Sequence, residues 1–145
     1  MTSAHPPDPE VEFDLDVLAS VLDGDPNTSA GGYLDLTTGD TLPASVFDDG
    51  ALEEDPEDDP DRWHYVPCQG SRDAWVDMRD FIGDEVDDPS TQARLRDAIS
   101  GRGAFRRFAT ILHDYPDLRA AWFVHRDRRA HARARQWLVD EGLLR

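Results

Sequence analysis

This sequence has no lysine, and all fifteen of its Lys or Arg side chains are arginines. It has one cysteine, Cys68, so an internal disulfide is excluded, and a cysteine-poor chain is typical of a reducing compartment. The longest apolar run, at 120–124, is far shorter than the ~20 residues that a membrane-spanning helix needs. The first residues have neither a basic start nor an apolar run, which argues against a secretory signal. These absences predict a soluble cytoplasmic protein with no membrane association.

Basic residues are also missing from a large part of the chain. Residues 1–60 contain no arginine, whereas ten of the fifteen arginines lie in residues 101–145, and the formal net charge is −16. An acidic first half joined to a basic last third indicates a binding face or internal charge pairing. High-GC codon usage and a salt-rich cytoplasm would produce a similar composition, so the charge pattern leaves both interpretations open.

Two segments have compositions that oppose ordered structure. Residues 1–12 are acidic and rich in proline, which predicts a disordered tail. The stretch DDGALEEDPEDDPD at 48–61 is dominated by carboxylates and contains two prolines. Because it has almost no apolar surface to bury, we expect a flexible acidic loop. The remaining pattern predicts one domain over residues 13–145.

Hydrophobic spacing predicts the order of helices and strands. Apolar residues recur at helical spacing from Leu15 to Leu22, and YLDLTTGDTL then alternates around a Thr-Gly-Asp turn as a β-hairpin does. WHYV at 63–66 resumes the alternation as a third strand. From Ser71 onward the pattern is helical, with helices opening at Ser71 and at Ser90 or Thr91. The fold class is therefore α+β: a short three-stranded antiparallel sheet with about five helices and an all-helical C-terminal half.

Core positions follow from the same periodicity. We expect these side chains to be buried: Leu18, Leu22, Leu34, Tyr65, Trp75, Met78, Phe81, Leu95, Ile99, Phe105, Phe108, Leu112, Phe123, Trp137 and Leu138.

The segment SGRGAFRRF at 100–108 is the strongest candidate for a binding site. A serine N-cap and two glycines would bring free backbone N–H groups close to a ligand at a helix start, where the helix dipole favours an anion. Arginine binds phosphate through two parallel hydrogen bonds. The candidate anion-binding residues are Ser100, Gly101, Arg102, Gly103, Arg106 and Arg107. The alternative is a tight turn between two helices, with the arginines paired to the surplus carboxylates.

Two nucleotide-related interpretations of this segment are weaker. The Walker lysine and the preceding strand are missing, so the segment is not a P-loop. Residues 94–112 have the outline of a helix-turn-helix, but a net charge of −16 opposes binding to a phosphate backbone. Nucleic acid is therefore not the expected partner.

Other chemistry finds little support along the chain. His125 and His131 are six residues apart, which does not place them on one helix face for a metal ion, so no metal site is predicted. No histidine stands at a spacing that would activate Cys68, and no cofactor motif is present. The arginine run HRDRRAHARAR at 125–135 is a solvated face, or it pairs with carboxylates such as those of the 48–61 segment.

Several longer stretches together resemble a known family. YLDLTTGDTL, RWHYVP, MRDFIGDEVDD, AISGRGAFRRFATIL and AAWFVHRDRRAHARARQWL are similar to segments of an uncharacterised bacterial protein family. The family pattern is a YLDxxTG hairpin, a GRGAFRRF segment and a closing helix that ends in Trp-Leu, and it spans about residues 11–140. The resemblance implies the fold and a bacterial source. It implies no activity, because no role is assigned to this family.

From these patterns we expect a small non-catalytic interaction or regulatory protein, with no cofactor. It would meet a protein partner through its arginine-rich last third or its acidic segment. The alternative is a binder of a phosphorylated small molecule or nucleotide at Ser100–Arg107. A nucleic-acid-binding helix-turn-helix is the third interpretation.

Overall fold

Apart from a four-residue helix and a short 3-10 helix between the second and third strands, the helices and strands follow the order that the hydrophobic pattern predicts. The computed structural model describes residues 11–50 and 52–144. Within them, three strands form one antiparallel sheet and the chain beyond Ser71 is helical, so the α+β prediction is confirmed. The elements are α1 (Leu15–Leu22), β1 (Gly32–Asp35), β2 (Thr41–Pro43), α2 (Ser45–Asp48), a 3-10 helix (Pro56–Asp58), β3 (Trp63–Val66), α3 (Arg72–Glu85), α4 (Pro89–Ala98), α5 (Ala104–Leu112) and α6 (Pro116–Asp140).

The chain divides into two compact units. One is bounded by Met1–Gly70 together with His131–Arg145, and the other by Ser71–Ala130. Each unit has its own set of buried apolar side chains. The predicted disordered tail lies mostly outside the described residues. The flexibility predicted for 48–61 and the single domain predicted over 13–145 stay predictions.

The sheet of the first unit has the strand order β2-β1-β3. In its hairpin, the Asp35 carboxylate accepts hydrogen bonds from the Thr37 amide at 2.9 Å and from the Thr37 hydroxyl at 2.6 Å. Gly39 closes the turn with φ +84°, a conformation that side chains disfavour. A Cβ at Gly39 would lie 1.9 Å from the carbonyl oxygen of Glu12. The Asp and Gly of the YLDxxTG pattern are therefore required by turn geometry and close backbone approach.

The core of the first unit is built from α1, the sheet and the end of α6. Asp14 caps α1 by accepting from the amides of Asp16 and Val17. The most deeply buried apolar side chains of this unit are Leu18, Leu34, Val66, Ala134 and Leu138. Near them, the His64 and Trp137 rings meet edge to face at 5.6 Å.

The second unit packs α3, α4, α5 and the first part of α6 around an aromatic centre. Phe81, Phe108 and Trp122 contact one another edge to face, with ring centroids 4.9–6.3 Å apart. The Trp75 indole donates to the Ile99 carbonyl oxygen at 2.8 Å, which ties α3 to the end of α4. The buried members of this core are Met78, Phe81, Ile82, Val86, Leu95, Ile99, Ala104, Phe108, Leu112 and Trp122.

Two of the predicted core residues are exposed. Tyr65 is 50% exposed, because it lies opposite Tyr33 on an open face of the sheet, where the two rings meet edge to face. Phe105 is 44% exposed, because α5 buries Ala104, Phe108 and Leu112, and Phe105 stands one position around the helix. Trp75 and Phe123 are half-buried. The other eleven predicted core residues are buried.

The predicted start of one helix is also displaced. α4 is capped by Asp88, not by Ser90 or Thr91. The Asp88 carboxylate accepts from the Thr91 amide at 2.9 Å and from its hydroxyl at 2.8 Å. These bonds hold the pKa of Asp88 below its usual range. Pro89 follows the cap directly, at the first helical position where its missing N–H is not needed.

Candidate functional site

The segment 100–107 forms the turn between α4 and α5. Gly101 and Gly103 both have φ +78°, which explains why the turn contains two glycines. Gly103 is the N-cap of α5, so the prediction that Ser100 caps this helix is wrong. The Ser100 hydroxyl instead donates to the Arg96 carbonyl oxygen at 3.2 Å. Ser100 therefore belongs to the end of α4, and α5 begins four residues later.

Arg107 is held by the backbone of the same turn. Its Nε donates to the Ala98 carbonyl oxygen at 2.8 Å and its Nη2 to that of Ser100 at 2.7 Å, while Nη1 donates to that of Arg102. The last carbonyl oxygens of a helix receive no hydrogen bond from within the helix and carry partial negative charge, so a nearby cation stabilises them. This guanidinium therefore serves the end of α4.

Arg102 and Arg106 differ from Arg107. Both are exposed, and within residues 11–50 and 52–144 neither side chain has a hydrogen bond or an ion pair. The first N–H groups of α5 lack partners inside the helix, as at any helix start. A Cβ at Gly101 would meet no atom within 4 Å, so this part of the turn faces open space. The predicted pairing of these two arginines with carboxylates is absent from the described part of the chain.

A second candidate site is an apolar cleft between α3, α5 and α6 in the second unit. Its volume is about 240 Å³. Its buried floor is formed by Met78, Phe108, Leu112 and Trp122. Phe105 and Phe123 line it as well, and Phe105 is the exposed member of the pair. The cleft thus presents aromatic surface to solvent.

The polar side chains that line this cleft are all basic in type. They are His113, Arg119 and Arg126, and none of the ten described residues around the cleft is a carboxylate. The guanidinium carbons of Arg119 and Arg126 lie 5.0 Å and 4.9 Å from the centroid of the Phe123 ring. Such cation–π contacts hold guanidinium groups in place without neutralising them. Arg126 also pairs with the neighbouring Asp127 at 3.1 Å, where both side chains are about half exposed.

Sequence reasoning missed this cleft, although a signal was present. Arg119, Phe123 and Arg126 stand at i, i+4 and i+7, which places them on one face of α6. An aromatic residue between two arginines at that spacing is a detectable pattern. The composition of the arginine run hid it, because charge runs are usually solvated faces.

Two arginines and a histidine in the second half of α6 are paired within their own units. Arg129 Nε lies 3.1 Å from Asp77 Oδ1, and its Nη2 lies 2.6 Å from Asp80 Oδ2. The hydrogen bond from Arg129 holds the pKa of Asp80 below its usual range. Arg133 pairs with Asp23 at 2.9 Å, and His131 with Asp16.

The acidic segment lies along a cleft of its own in the first unit. A row of edge-to-face aromatic rings is formed by Tyr33, Phe47 and Trp63. The cleft is bordered by the carboxylates of Asp48, Glu53 and Glu57. Burial raises the pKa of the Tyr33 hydroxyl, and the negative charge of Glu57 raises it further. Within the described residues, the segment is paired through Glu54, which lies 3.2 Å from Arg62.

Arg62 also binds the hairpin. Its Nη2 lies 3.1 Å from Asp35 Oδ2, and its guanidinium carbon lies 4.7 Å from the Trp63 ring centroid. Burial alone would raise the pKa of Asp35. Hydrogen bonds from Arg62 and Thr37 outweigh that effect and lower it.

His125 is a buried polar side chain without a polar partner. It is 4% exposed, and neither ring nitrogen has a hydrogen-bond partner in the described part of the chain. Its ring meets that of Phe81 edge to face, with centroids 5.4 Å apart, and stacks on that of Trp122, with centroids 6.0 Å apart. His125 therefore belongs to the aromatic core of the second unit.

Within the described residues, no group of three or more His, Cys, Asp or Glu side chains is placed to hold a metal ion. Cys68 is half-buried, and its sulfur would lie 3.0 Å from a Cβ at Gly24, so it packs against the end of α1.

The fold and these surfaces define a small α+β protein with a basic apolar cleft and a separate acidic aromatic cleft. The chain belongs to the uncharacterised protein family UPF0158, whose sequence profile matches residues 13–144, and the predicted resemblance is thereby confirmed. It is similar to a Pseudomonas aeruginosa protein named UPF0158 protein PA5073, with 30% identity over 132 residues, which cover 90% of this chain and 84% of that protein. No solved structure matches the chain. Within residues 11–50 and 52–144, no helix is long and apolar enough to cross a bilayer.

Proposed function

We propose that this chain is a non-catalytic interaction protein of the bacterial cytoplasm. It binds an acidic region of a partner protein through the basic cleft of its second unit. One observation carries the proposal: Arg119 and Arg126 flank Phe123 at an apolar cleft whose described lining residues include no carboxylate.

Charge balance makes this observation informative. The chain has 31 acidic residues for 15 arginines, so carboxylates are available in excess for internal pairing. Arg62, Arg129 and Arg133 are paired in that way. At the cleft, the arginines are instead held over an aromatic ring. Among the described residues, the one ion pair of Arg126 is an exposed pair with its neighbour Asp127. Exposed pairs contribute little, so both guanidinium groups are available to an external acid.

Neutralising the cleft arginines tests the proposal. The double variant Arg119→Gln/Arg126→Gln is compared with Arg72→Gln/Arg96→Gln, which makes the same charge change on exposed positions of α3 and α4. Each purified protein captures partners from a lysate of the source bacterium at low and high salt. We expect one acidic protein to be captured by the wild type and by the control, and to be lost with the cleft variant and at high salt. Equal capture by both double variants would contradict the proposal.

A second candidate function is the binding of a phosphorylated small molecule or nucleotide at Ser100–Arg107. It is favoured by the exposed Arg102 and Arg106, which have no ion pair in the described residues beside the free amides of α5. Gly103 would contribute through its backbone N–H, whereas the amide and hydroxyl of Ser100 and the guanidinium of Arg107 are engaged by α4.

A thermal-shift screen with nucleotides, phosphosugars and sulfate tests this second candidate. A ligand at 100 times its dissociation constant adds about 2.7 kcal/mol to the free energy of unfolding. We expect the shift to be lost in Arg102→Ala and in Arg106→Ala. Short DNA and RNA in the same screen test the helix-turn-helix interpretation. The absence of any shift would count against both.

A further inference from the structure

Beyond charge, the basic cleft has a shape that selects one kind of acidic segment. Its floor of Met78, Phe108, Leu112 and Trp122 is apolar and buried. Phe105 stands at its opening with 44% of its surface exposed, although phenylalanine is normally buried. An exposed aromatic ring beside an apolar cavity is typical of a binding anchor point.

The size of the cleft indicates what enters it. At about 240 Å³ it is smaller than the roughly 300–1,000 Å³ of sites that enclose a small-molecule ligand. It is large enough for one aromatic or leucine side chain. The occupant is therefore a single apolar side chain attached to a larger molecule, which extends across the rim.

The rim determines the charge of that molecule. Arg119 and Arg126 lie on either flank of Phe123 in sequence, and His113 lines the cleft from the end of α5. Carboxylates next to the buried side chain would meet these groups as soon as the apolar side chain enters. Basic or neutral segments would leave the guanidinium groups uncompensated and are disfavoured.

We infer that the cleft between α3, α5 and α6 binds an acidic peptide segment of a partner protein, with one aromatic or leucine side chain inserted beside Phe105 and the flanking carboxylates bound by Arg119 and Arg126. This inference rests on the proposed function and adds the apolar anchor to it. The anchor supplies most of the specificity, and the arginines supply attraction and orientation.

A fluorescein-labelled, C-terminally amidated peptide, Glu-Asp-Phe-Glu-Asp, tests the inference by fluorescence anisotropy with the full chain. A second peptide has serine in place of phenylalanine. We expect the phenylalanine peptide to bind the wild type about tenfold more tightly than the serine peptide, as a buried anchor does. In Phe105→Ser that difference should fall to less than about twofold, because coupled partners lose their interaction together.

Matched variants separate folding from binding. Val124→Ser changes another exposed apolar side chain of the second unit, which does not line the cleft, and should leave both affinities unchanged. Phe105→Leu should retain at least roughly a third of the wild-type affinity for the phenylalanine peptide, because an apolar side chain remains. A preference for phenylalanine that persists in Phe105→Ser would overturn the inference.

Two further measurements test other occupants of the cleft. If 3-phenylpropanoate binds more tightly than the peptide, the occupant is a small carboxylate and the inference is overturned. Self-association of the wild type that Phe105→Ser abolishes would identify a second copy of the chain as the occupant and would also overturn the inference. If the cleft arginines are needed to capture the partner and Phe105 is not, the proposed function stands and only the anchor fails.

Discussion

The guanidinium of Arg107 donates a 2.7 Å hydrogen bond to the carbonyl oxygen of Ser100. The sequence makes both residues candidates for binding an external anion. Arg107 thereby satisfies the end of α4, together with its bonds to Ala98 and Arg102. The neighbouring Arg106 makes no such contact within the described residues. Adjacent arginines of one motif thus have different roles.

This contrast leads to a prediction about stability. Arg107→Met should lower the free energy of unfolding by about 1.5–3 kcal/mol, because hydrogen bonds from a charged group to the α4 carbonyls are lost. Arg106→Met removes the same charge one residue earlier and should change it by less than about 0.5 kcal/mol, as exposed substitutions do. Urea denaturation of the two variants measures the difference. Equal values would show that the Arg107 contacts contribute nothing.

Gly39 offers a test of the hairpin geometry. Gly39→Ala and Gly142→Ala both place a side chain at a positive φ, which costs about 1–2 kcal/mol. At Gly142 the new Cβ meets nothing within 4 Å, whereas at Gly39 it collides with the Glu12 carbonyl oxygen. We expect Gly39→Ala to be more destabilising by about 1–3 kcal/mol, the usual range for overpacking. Thermal unfolding followed by circular dichroism compares the two variants.

The lowered pKa of Asp35 predicts a dependence of stability on pH. Because the folded state holds this carboxyl ionised to a lower pH than the unfolded state does, acid protonates the unfolded chain first. The stabilisation from Asp35 is therefore complete above about pH 4 and is lost as the pH falls further. Asp35→Asn should lower the melting temperature at pH 7 and make its decline below pH 4 less steep. Asp61→Asn, at an exposed position, is the control, and an unchanged slope in Asp35→Asn would contradict the assignment.

His125 gives a prediction in the opposite direction. Its two ring nitrogens are buried without hydrogen-bond partners in the described part of the chain, and such groups cost about 1–3 kcal/mol each to bury. His125→Phe keeps the ring contacts with Phe81 and Trp122 and removes the polar atoms. We expect it to unfold at higher denaturant than the wild type, whereas His125→Asn should unfold at lower denaturant. A destabilised His125→Phe together with a neutral His125→Asn would contradict this account.

Local pattern was sufficient where local chemistry decides the structure. The hairpin followed from YLDLTTGDTL because a side-chain cap at Asp35 and a glycine at positive φ act within five residues. The start of α1 followed from the helical spacing that begins at Leu15, directly after its cap Asp14. The helical stripe of α3 likewise identified Met78 and Phe81 as buried.

Periodicity failed at the edge of an apolar stripe, where spacing does not decide which of two neighbouring side chains is buried. On α6 the pattern placed Phe123 inward, whereas Trp122 and His125 are the buried residues and Phe123 is half-buried beneath two arginines. On α5 both Phe105 and Phe108 suited the core, and only the packing against α3 and α6 leaves Phe105 outside. The basic cleft lies at this boundary.

By itself, the sequence determined the α+β class, the turns that need glycine at Gly39, Gly101 and Gly103, and the separation of acid from base along the chain. These depend on backbone conformation, spacing and composition, which neighbouring residues decide. Only the tertiary structure decided which arginines are paired. Arg107 reaches carbonyl oxygens up to nine residues away, and Arg129 reaches a carboxylate 49 residues away. A charge is neutralised by whatever the fold brings within about 3 Å of it, and no local pattern specifies that neighbour.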